Sequence, residues 1–394
     1  MKSESKPELI AFSQFKLGGV QNLYYNILAN APAGKFHIRW IFEETQDNDP
    51  KLPQLYGIAE EIIFKLADSP GQTTYEMAKR LQRLISNQPG VVLANFWHDL
   101  VTLHLYRRPA KTIFFICHDE GYIPLALHFE FLIDVFIAHN YQFFEALRDK
   151  MPGRANDIFF IPHGVKIPSK TGLTNLDNRL RIVIAARLQE LKGVYDIPLI
   201  DDKLKEKGIL LEWTIIGTGP EKQKLESILL PRGNFKFHAP LKNHEVLDLM
   251  QNQDVFILPS RLDGLPVALL EAMSTGCVPV ISEFNTGIKK VVTPEIGFVL
   301  PTGDINAFAD AIQFLDRNRE ELAKRGNLAR ATVIENFNID IQAKKYFDLF
   351  ARYREFKKPV RKKFHRYGGI LDYPFWPTFL RDNLRRLKNT VTGK

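Results

Sequence analysis

Cysteine is nearly missing from this 394-residue chain: Cys117 and Cys277 are the two it has. They lie far apart, each in or beside an apolar run, which points to a reducing cytosol and no disulfide. No Cys/His spacing suits structural zinc. No apolar run approaches the ~20 residues needed to span a bilayer. The opening Met1-Lys2-Ser3-Glu4-Ser5-Lys6-Pro7-Glu8 lacks the apolar core of a signal peptide. Internal repeats and long low-complexity segments are also lacking. These absences exclude a secreted disulfide scaffold, a membrane-spanning protein and a repeat array, and they place the protein in the cytoplasm.

What is present is ordinary for a globular protein: 45% apolar and 25% charged residues. At this length two domains are the default. The net charge of +8 is unevenly placed. Residues Arg352 to Lys394 hold thirteen Lys and Arg against Glu355, Asp372 and Asp382, more than the whole surplus. The body of the chain is therefore nearly neutral, which argues against a nucleic-acid partner.

Strand-like apolar runs alternate with helical patterns throughout, the signature of a parallel α/β architecture. Strands are expected near Leu9–Phe12, His37–Phe42, Val91–Ala94, Ile113–Ile116, Val135–Ala138 and Ile158–Ile161. In the second half they fall near Ile182–Ala185, Trp213–Ile216, Val255–Leu258, Val278–Ile281 and Phe298–Leu300. Helices are expected over Val20–Leu28, Tyr75–Ile85, Tyr141–Asp149, Pro220–Leu229, His244–Gln251, Pro266–Thr275 and Ile305–Leu315. The polar, turn-rich Pro168–Asn175 makes the boundary. The expected domains are 1–168, 169–350 and a basic, aromatic tail, 351–394. In doubly wound sheets ligands bind at the carboxyl ends of strands.

The densest chemistry lies in Pro259-Ser260-Arg261-Leu262-Asp263-Gly264-Leu265-Pro266, followed by Val267-Ala268-Leu269-Leu270-Glu271-Ala272-Met273. A strand leads into a short polar loop, and a helix opens with proline in its first turn. That helix is apolar almost all round, so it should be buried. Its one charge, Glu271, then needs a partner, because desolvating a lone carboxylate is costly. Asp263 sits eight positions earlier. Gly264 allows a tight turn, and the helix N-terminus attracts anions. The unit suits a ligand with hydroxyls at one end and phosphate at the other.

This stretch resembles the acid-x7-acid signature of the retaining GT-B glycosyltransferases of the family-four group (glycosyl transferases group 1). Asp263 stands where the family usually has glutamate, and one extra residue precedes Pro279. Arg187-Leu188-Gln189-Glu190-Leu191-Lys192-Gly193 resembles the family's R-L-x-x-x-K-G loop, and Ile216-Gly217-Thr218-Gly219-Pro220-Glu221 its G-x-G-P-E turn. Leu17-Gly18-Gly19 resembles its G-G loop, and Ile161-Pro162-His163-Gly164-Val165 the I-P-N-G-V segment that closes its first domain.

The resemblance implies two Rossmann-like doubly wound domains facing across a cleft, 1–168 on the acceptor side and 169–350 binding the nucleotide-sugar, with 351–394 as a crossover helix and tail. It implies a nucleotide-activated donor (a UDP-, GDP- or ADP-sugar), a glycan, lipid-linked or lipopolysaccharide-type acceptor, and no cofactor or metal. Glu271 would hold ribose hydroxyls and Asp263 sugar hydroxyls. Arg187 and Lys192 would clamp the diphosphate, a task suited to an arginine fork and a lysine point charge. Gly264, Leu265 and Pro266 would bring backbone to the same phosphates. Gly18, Gly19, Gly217 and Gly219 would admit close approach, and His118, beside Asp119, would meet the donor sugar. Retention would proceed by front-face substitution, the departing phosphate helping to deprotonate the acceptor.

Other readings stay open. Gly217 and Gly219 equally suit a plain strand-to-helix turn; Lys222 stands where a dinucleotide fingerprint needs a third glycine. His98-Asp99 and His118-Asp119 equally suit structural histidines at strand ends. Asp47-Asn48-Asp49 has a metal-binding form, but it sits in a polar stretch beside Pro50 and reads as surface loop. The tail suits either an anionic membrane surface or a helix crossing back onto the first domain. A nucleotide-sugar epimerase of the same fold and a non-catalytic nucleotide-sugar-binding module remain as alternative functions.

Overall fold

The computed structural model describes residues 6–15, 19–44, 56–67, 72–106, 109–118, 121–169, 179–239, 243–359, 363 and 365–367. The chain divides into two compact units. The first comprises residues 1–138, 143–161 and 343–394; the second comprises 139–142 and 162–342. The motif Asp47-Asn48-Asp49, the residues Gly18 and Asp119, and the aromatic group 373–377 lie outside the described residues.

The first unit is a seven-stranded parallel sheet in the order β3-β2-β1-β4-β5-β6-β7. Its strands are β1 (Glu8–Gln14), β2 (His37–Glu44), β3 (Glu60–Lys65), β4 (Gly90–Ala94), β5 (Lys111–Cys117), β6 (Val135–Ala138) and β7 (Ile158–Phe160). Its helices are α1 (Gly19–Ala29), α2 (Thr74–Leu81), α3 (Trp97–Leu105), α4 (Tyr122–His128) and most of α5 (Tyr141–Lys150). Both faces of the sheet are covered, so its strands read as continuous apolar runs. Ile10 and Phe12 of β1 enter one core with α2 and α3, while Leu9 and Ala11 enter the opposite core with α1.

The second unit is a six-stranded parallel sheet in the order β10-β9-β8-β11-β12-β13. Its strands are β8 (Leu180–Ala185), β9 (Leu211–Ile216), β10 (Phe235–His238), β11 (Val255–Leu258), β12 (Val278–Ser282) and β13 (Phe298–Leu300). Helices α6 (Asp196–Glu206), α7 (Lys222–Leu229), α8 (Asn243–Met250), α9 (Val267–Thr275), α10 (Ile305–Arg317) and α11 (Arg319–Asn336) cover it.

Every strand expected from the sequence is present. Two more occur, β3 and β10, and each is an outermost strand of its sheet. In both sheets the strand order reverses beside the first strand, between β1 and β4 and between β8 and β11. Loops leaving those strands diverge there and open a site at their carboxyl ends.

Helix α12 (Ile339–Ala351) carries the chain from the second unit back to the first, and α13 (Tyr353–Phe356) follows. Phe350 and Phe356 meet Phe114 of β5 edge-to-face, at 5.3 and 6.1 Å between ring centroids. Two of the tail's cations are neutralised locally: Lys357 Nζ lies 3.2 Å from Asp134 and Lys358 Nζ 2.8 Å from Asp157. Farther on, Tyr367 is buried against α3, its hydroxyl 2.6 Å from His104 Nδ1. The described part of the tail therefore packs on the first unit. No described helix is long and apolar enough to cross a membrane.

Candidate active site

The strand-order reversal of the second unit falls among the residues that the sequence singles out. The loop after β8 holds Arg187 and Lys192, and the loop after β11 holds Asp263 and Gly264. Backbone contacts knit the two loops together. Arg261 N donates to Leu191 O at 2.8 Å, and Ser260 Oγ donates to Leu191 O at 3.2 Å. Gly193 sits at φ +68°, where a Cβ would stand 1.9 Å from Pro259 O. Only glycine fits so left-handed a turn pressed against backbone. Arg261 forks onto Asp196 in the first turn of α6, its Nη2 2.8 Å from Oδ1, and so anchors the loop from behind.

Within this frame Lys192 Nζ reaches Asp263 Oδ2 at 2.5 Å, and both side chains are four-fifths buried. The other Asp263 oxygen accepts from Gly264 N at 3.1 Å. Asn285, after β12, donates to the carbonyls of Asp263 and Gly264 at 3.0 and 2.7 Å. Arg187 is exposed. The resemblance assigns Asp263 and Lys192 to different parts of a ligand; in the structure they pair with each other.

Helix α9 is buried from Leu269 through Thr275, as its apolar character requires. Pro266 lies one residue ahead of it in the cap position, with φ −64°. Glu271 is 5% exposed, and Asn243 Nδ2 at the start of α8 donates to its carboxylate. Burial pushes the Glu271 carboxyl up to about 7 against the pull of that amide. Among the described residues its side-chain partner is thus one amide, which leaves the carboxylate able to accept further hydrogen bonds from hydroxyls.

The glycines of the turn after β9 have a packing role. A Cβ on Gly217 would stand 2.0 Å from Ala186 O, and one on Gly219 2.2 Å from Leu188 O. Leu188 N donates to Thr218 O at 2.9 Å, so this turn lies flat against the loop that carries Arg187.

In the first unit Gly19 opens α1. His118 follows β5, is 7% exposed, and its Nε2 lies 2.9 Å from Asn95 Oδ1. Asp99 caps α3, taking the backbone N–H of Asn95 at 2.8 Å and of Phe96 at 3.1 Å. His98 Nδ1 lies 3.3 Å from Glu43 Oε2. His163 stacks on His139 at 4.1 Å, within the second unit. Asn243, Asn285 and Glu43 escaped the sequence reading. Asn243 and Asn285 act through side chains that meet their targets only in three dimensions. For Glu43 the one signal was a carboxylate directly after the apolar run Trp40-Ile41-Phe42 of β2.

The two doubly wound sheets define a GT-B fold. A sucrose-phosphate synthase of Thermosynechococcus elongatus superposes on 89% of this chain and 100% of its own with a TM-score of 0.73, at 17% identity. Residues 169–332 match the glycosyl transferases group 1 family, so the resemblance drawn from the motifs holds over the second unit. WcaL of Escherichia coli K12, named for colanic acid biosynthesis, is 32% identical over 195 residues, covering 45% of each chain. An E. coli UDP-Gal:α-D-GlcNAc-diphosphoundecaprenol α-1,3-galactosyltransferase is 30% identical over 107 residues, 27% of each chain. The chain thus matches less than half the length of these curated relatives.

Proposed function

We propose that this chain is a retaining glycosyltransferase that moves a sugar from a nucleoside-diphosphate sugar to a glycan or lipid-linked acceptor. The observation that carries the reading is Glu271, a carboxylate buried midway along α9 that accepts from the Asn243 amide. A ribose diol would supply the two donors that this carboxylate lacks. From the loop after β8, Arg187 and Lys192 would take the diphosphate, and Asp263, released from Lys192, would take hydroxyls of the donor sugar. Phosphate oxygens and the ammonium of Lys192 are a natural exchange, because the lysine keeps an anionic partner while Asp263 passes to hydroxyl donors.

In the reaction the bond from the anomeric carbon to the leaving phosphate oxygen breaks. The acceptor oxygen forms its bond on the same face, and its proton passes to the departing phosphate. Fixed cations stabilise the charge that grows on that phosphate, and the scheme requires no metal or cofactor. Lipid-linked acceptors, as in the galactosyltransferase relative's name, would bring the protein to the cytoplasmic face of a membrane. There each basic residue of the tail near the surface would contribute ~1 kcal/mol.

The test is Glu271→Ala with a UDP-, GDP- and ADP-sugar panel. Transfer should be abolished while the circular dichroism of the folded protein is kept. Transfer at the wild-type rate in that variant sinks the assignment. The anomeric configuration of the product, read by NMR, decides retention. Epimer formation from donor alone would replace transferase by epimerase.

A further inference from the structure

Both acids of the β11–α9 unit are held by an asparagine from a neighbouring loop, and the two asparagines act differently. Asn285, after β12, donates to the carbonyls of Asp263 and Gly264 and so fixes backbone. Asn243, at the start of α8, donates from Nδ2 to the Glu271 carboxylate itself. Of the two, Asn243 is the one placed to act on a charge. An asparagine at a helix start commonly serves that helix, its side-chain oxygen accepting from the free N–H groups. The amide nitrogen of Asn243 is a donor and is turned to α9, so this contact does nothing for the end of α8.

The surroundings of Glu271 make that contact count. Strands β11 and β12, beside α9, carry no charged residue. His244, Glu245 and Asp248 of α8 are exposed. On α11, Arg325 lies over the rings of Phe298 and Phe314, and Arg330 is committed to the carbonyls of Ser274 and Pro168. Lys192 and Asp263 pair with each other. Lys242 lies outside the described residues. What acts on the Glu271 carboxyl is burial, which raises it to about 7, and the Asn243 amide, which pulls it down. Stability alone does not ask for this pairing, since well-packed apolar residues in place of buried charge are often as stable or more so. An amide satisfies the carboxylate in part. Two oxygens offer about four acceptor sites, and one amide leaves room for a diol.

We propose that Asn243 is a positioning residue of the donor site, whose amide orients the Glu271 carboxylate and keeps it ionised for two ribose hydroxyls. The ribose rests on the transferase reading; the hold of Asn243 on Glu271 does not. Donor binding is then coupled to a proton in the neutral range. A hydrogen bond to a charged group is worth roughly ten- to a hundredfold. Without it the carboxyl keeps its proton to a pH about one to two units higher.

The test uses the full chain, wild type beside Asn243→Ala and Asn243→Asp. Alanine deletes the donor and suits a helix. Aspartate keeps the shape and sets a second carboxylate beside the first, so that one of the two holds its proton more strongly. The first readout needs no ligand. NMR of labelled glutamate carboxyl carbons, with Glu271→Gln to assign the signal, should find the Glu271 midpoint at about 7 in wild type. In Asn243→Ala it should lie about one to two pH units higher. Calorimetry with UDP, GDP and ADP from pH 6 to pH 9 then reads the donor site. For whichever binds wild type, Asn243→Ala should lose about tenfold or more in affinity at pH 6 and stay within about threefold at pH 9. Asn243→Asp should lose more than alanine at pH 8. The proposal is overturned if the Glu271 midpoint is the same in wild type and Asn243→Ala. It is also overturned if the alanine variant loses the same factor, or none, at every pH, or if Asn243→Asp binds as wild type does at pH 8. Failure of every nucleoside diphosphate to bind wild type would sink the donor reading instead, and the midpoint would still decide whether Asn243 governs Glu271.

Discussion

Replacing Glu271 by glutamine should make the ligand-free protein more stable, and only above acidic pH. The carboxyl of Glu271 lies near 4.5 in the unfolded chain and is pushed up to about 7 by burial in α9. Its folded value is raised, so the native state holds the proton more tightly. Its contribution is fully present below pH 4.5 and is lost as pH rises to 7. At about 1.4 kcal/mol per pH unit this loss amounts to about 3 kcal/mol. Glu271→Gln has no charge to desolvate and can still accept from Asn243. Urea unfolding should therefore find the two proteins equal at pH 4.5 and the variant ahead by about 3 kcal/mol at pH 8. The same variant should lose nucleoside diphosphate binding. Wild type should release a proton on binding near pH 6.5, because hydroxyl donors favour the ionised carboxylate; calorimetry in buffers of different ionisation heat measures that release. A stability gap equal at both pH values would refute the reasoning, since it would mean that Glu271 is not held neutral by its surroundings.

Other perturbations follow from features already described. Gly193→Ala should destabilise the second unit by more than about 2 kcal/mol, read by thermal unfolding, because the new methyl meets Pro259 O. Lys192→Met should weaken nucleoside diphosphate binding in calorimetry while adding little to the salt dependence of folding, since its pair with Asp263 is mostly shielded. Lys111 is fully buried on the Glu8 carboxylate, where it and Ser86 outweigh burial and hold Glu8 below its usual range. Lys111→Met should cost about 3–5 kcal/mol, and adding Glu8→Gln should recover most of it in the double variant. Burial pushes the Cys277 thiol up to about 12, so a thiol reagent at pH 8 should label it only after denaturation.

The strands missing from the sequence reading share a cause. β3 runs Glu60-Glu61-Ile62-Ile63-Phe64-Lys65 with one buried residue, and β10 alternates polar and apolar. Both lie at a sheet edge, where cover is thinner than at the centre, and neither carries the continuous apolar run that marked β1 or β11. Helix α11 was passed over for a related reason. Its buried stripe is Leu322, Gly326, Ala329 and Val333, at helical spacing and with two small members, because a Cβ at position 326 would stand 2.4 Å from Gly276 O. Small contacts leave no hydrophobic signal. At the candidate site, the burial of Glu271 and its need for a partner were legible from one charge in an apolar helix. The partner, Asn243, was not, since it lies 28 positions away and on another helix. Nor could spacing show that Lys192 and Asp263, in loops 71 positions apart, would meet.

The return of the chain through α12 has a consequence for biosynthesis. Phe114 of β5 in the first sheet is sealed by Phe350 and Phe356, which follow the second unit in the chain. A ribosome therefore finishes the second unit before it has made the pieces that close the first. Until then that face is covered by α1 but open over β5, a stage at which a chaperone or a stalled ribosome would decide whether the molecule is completed or lost.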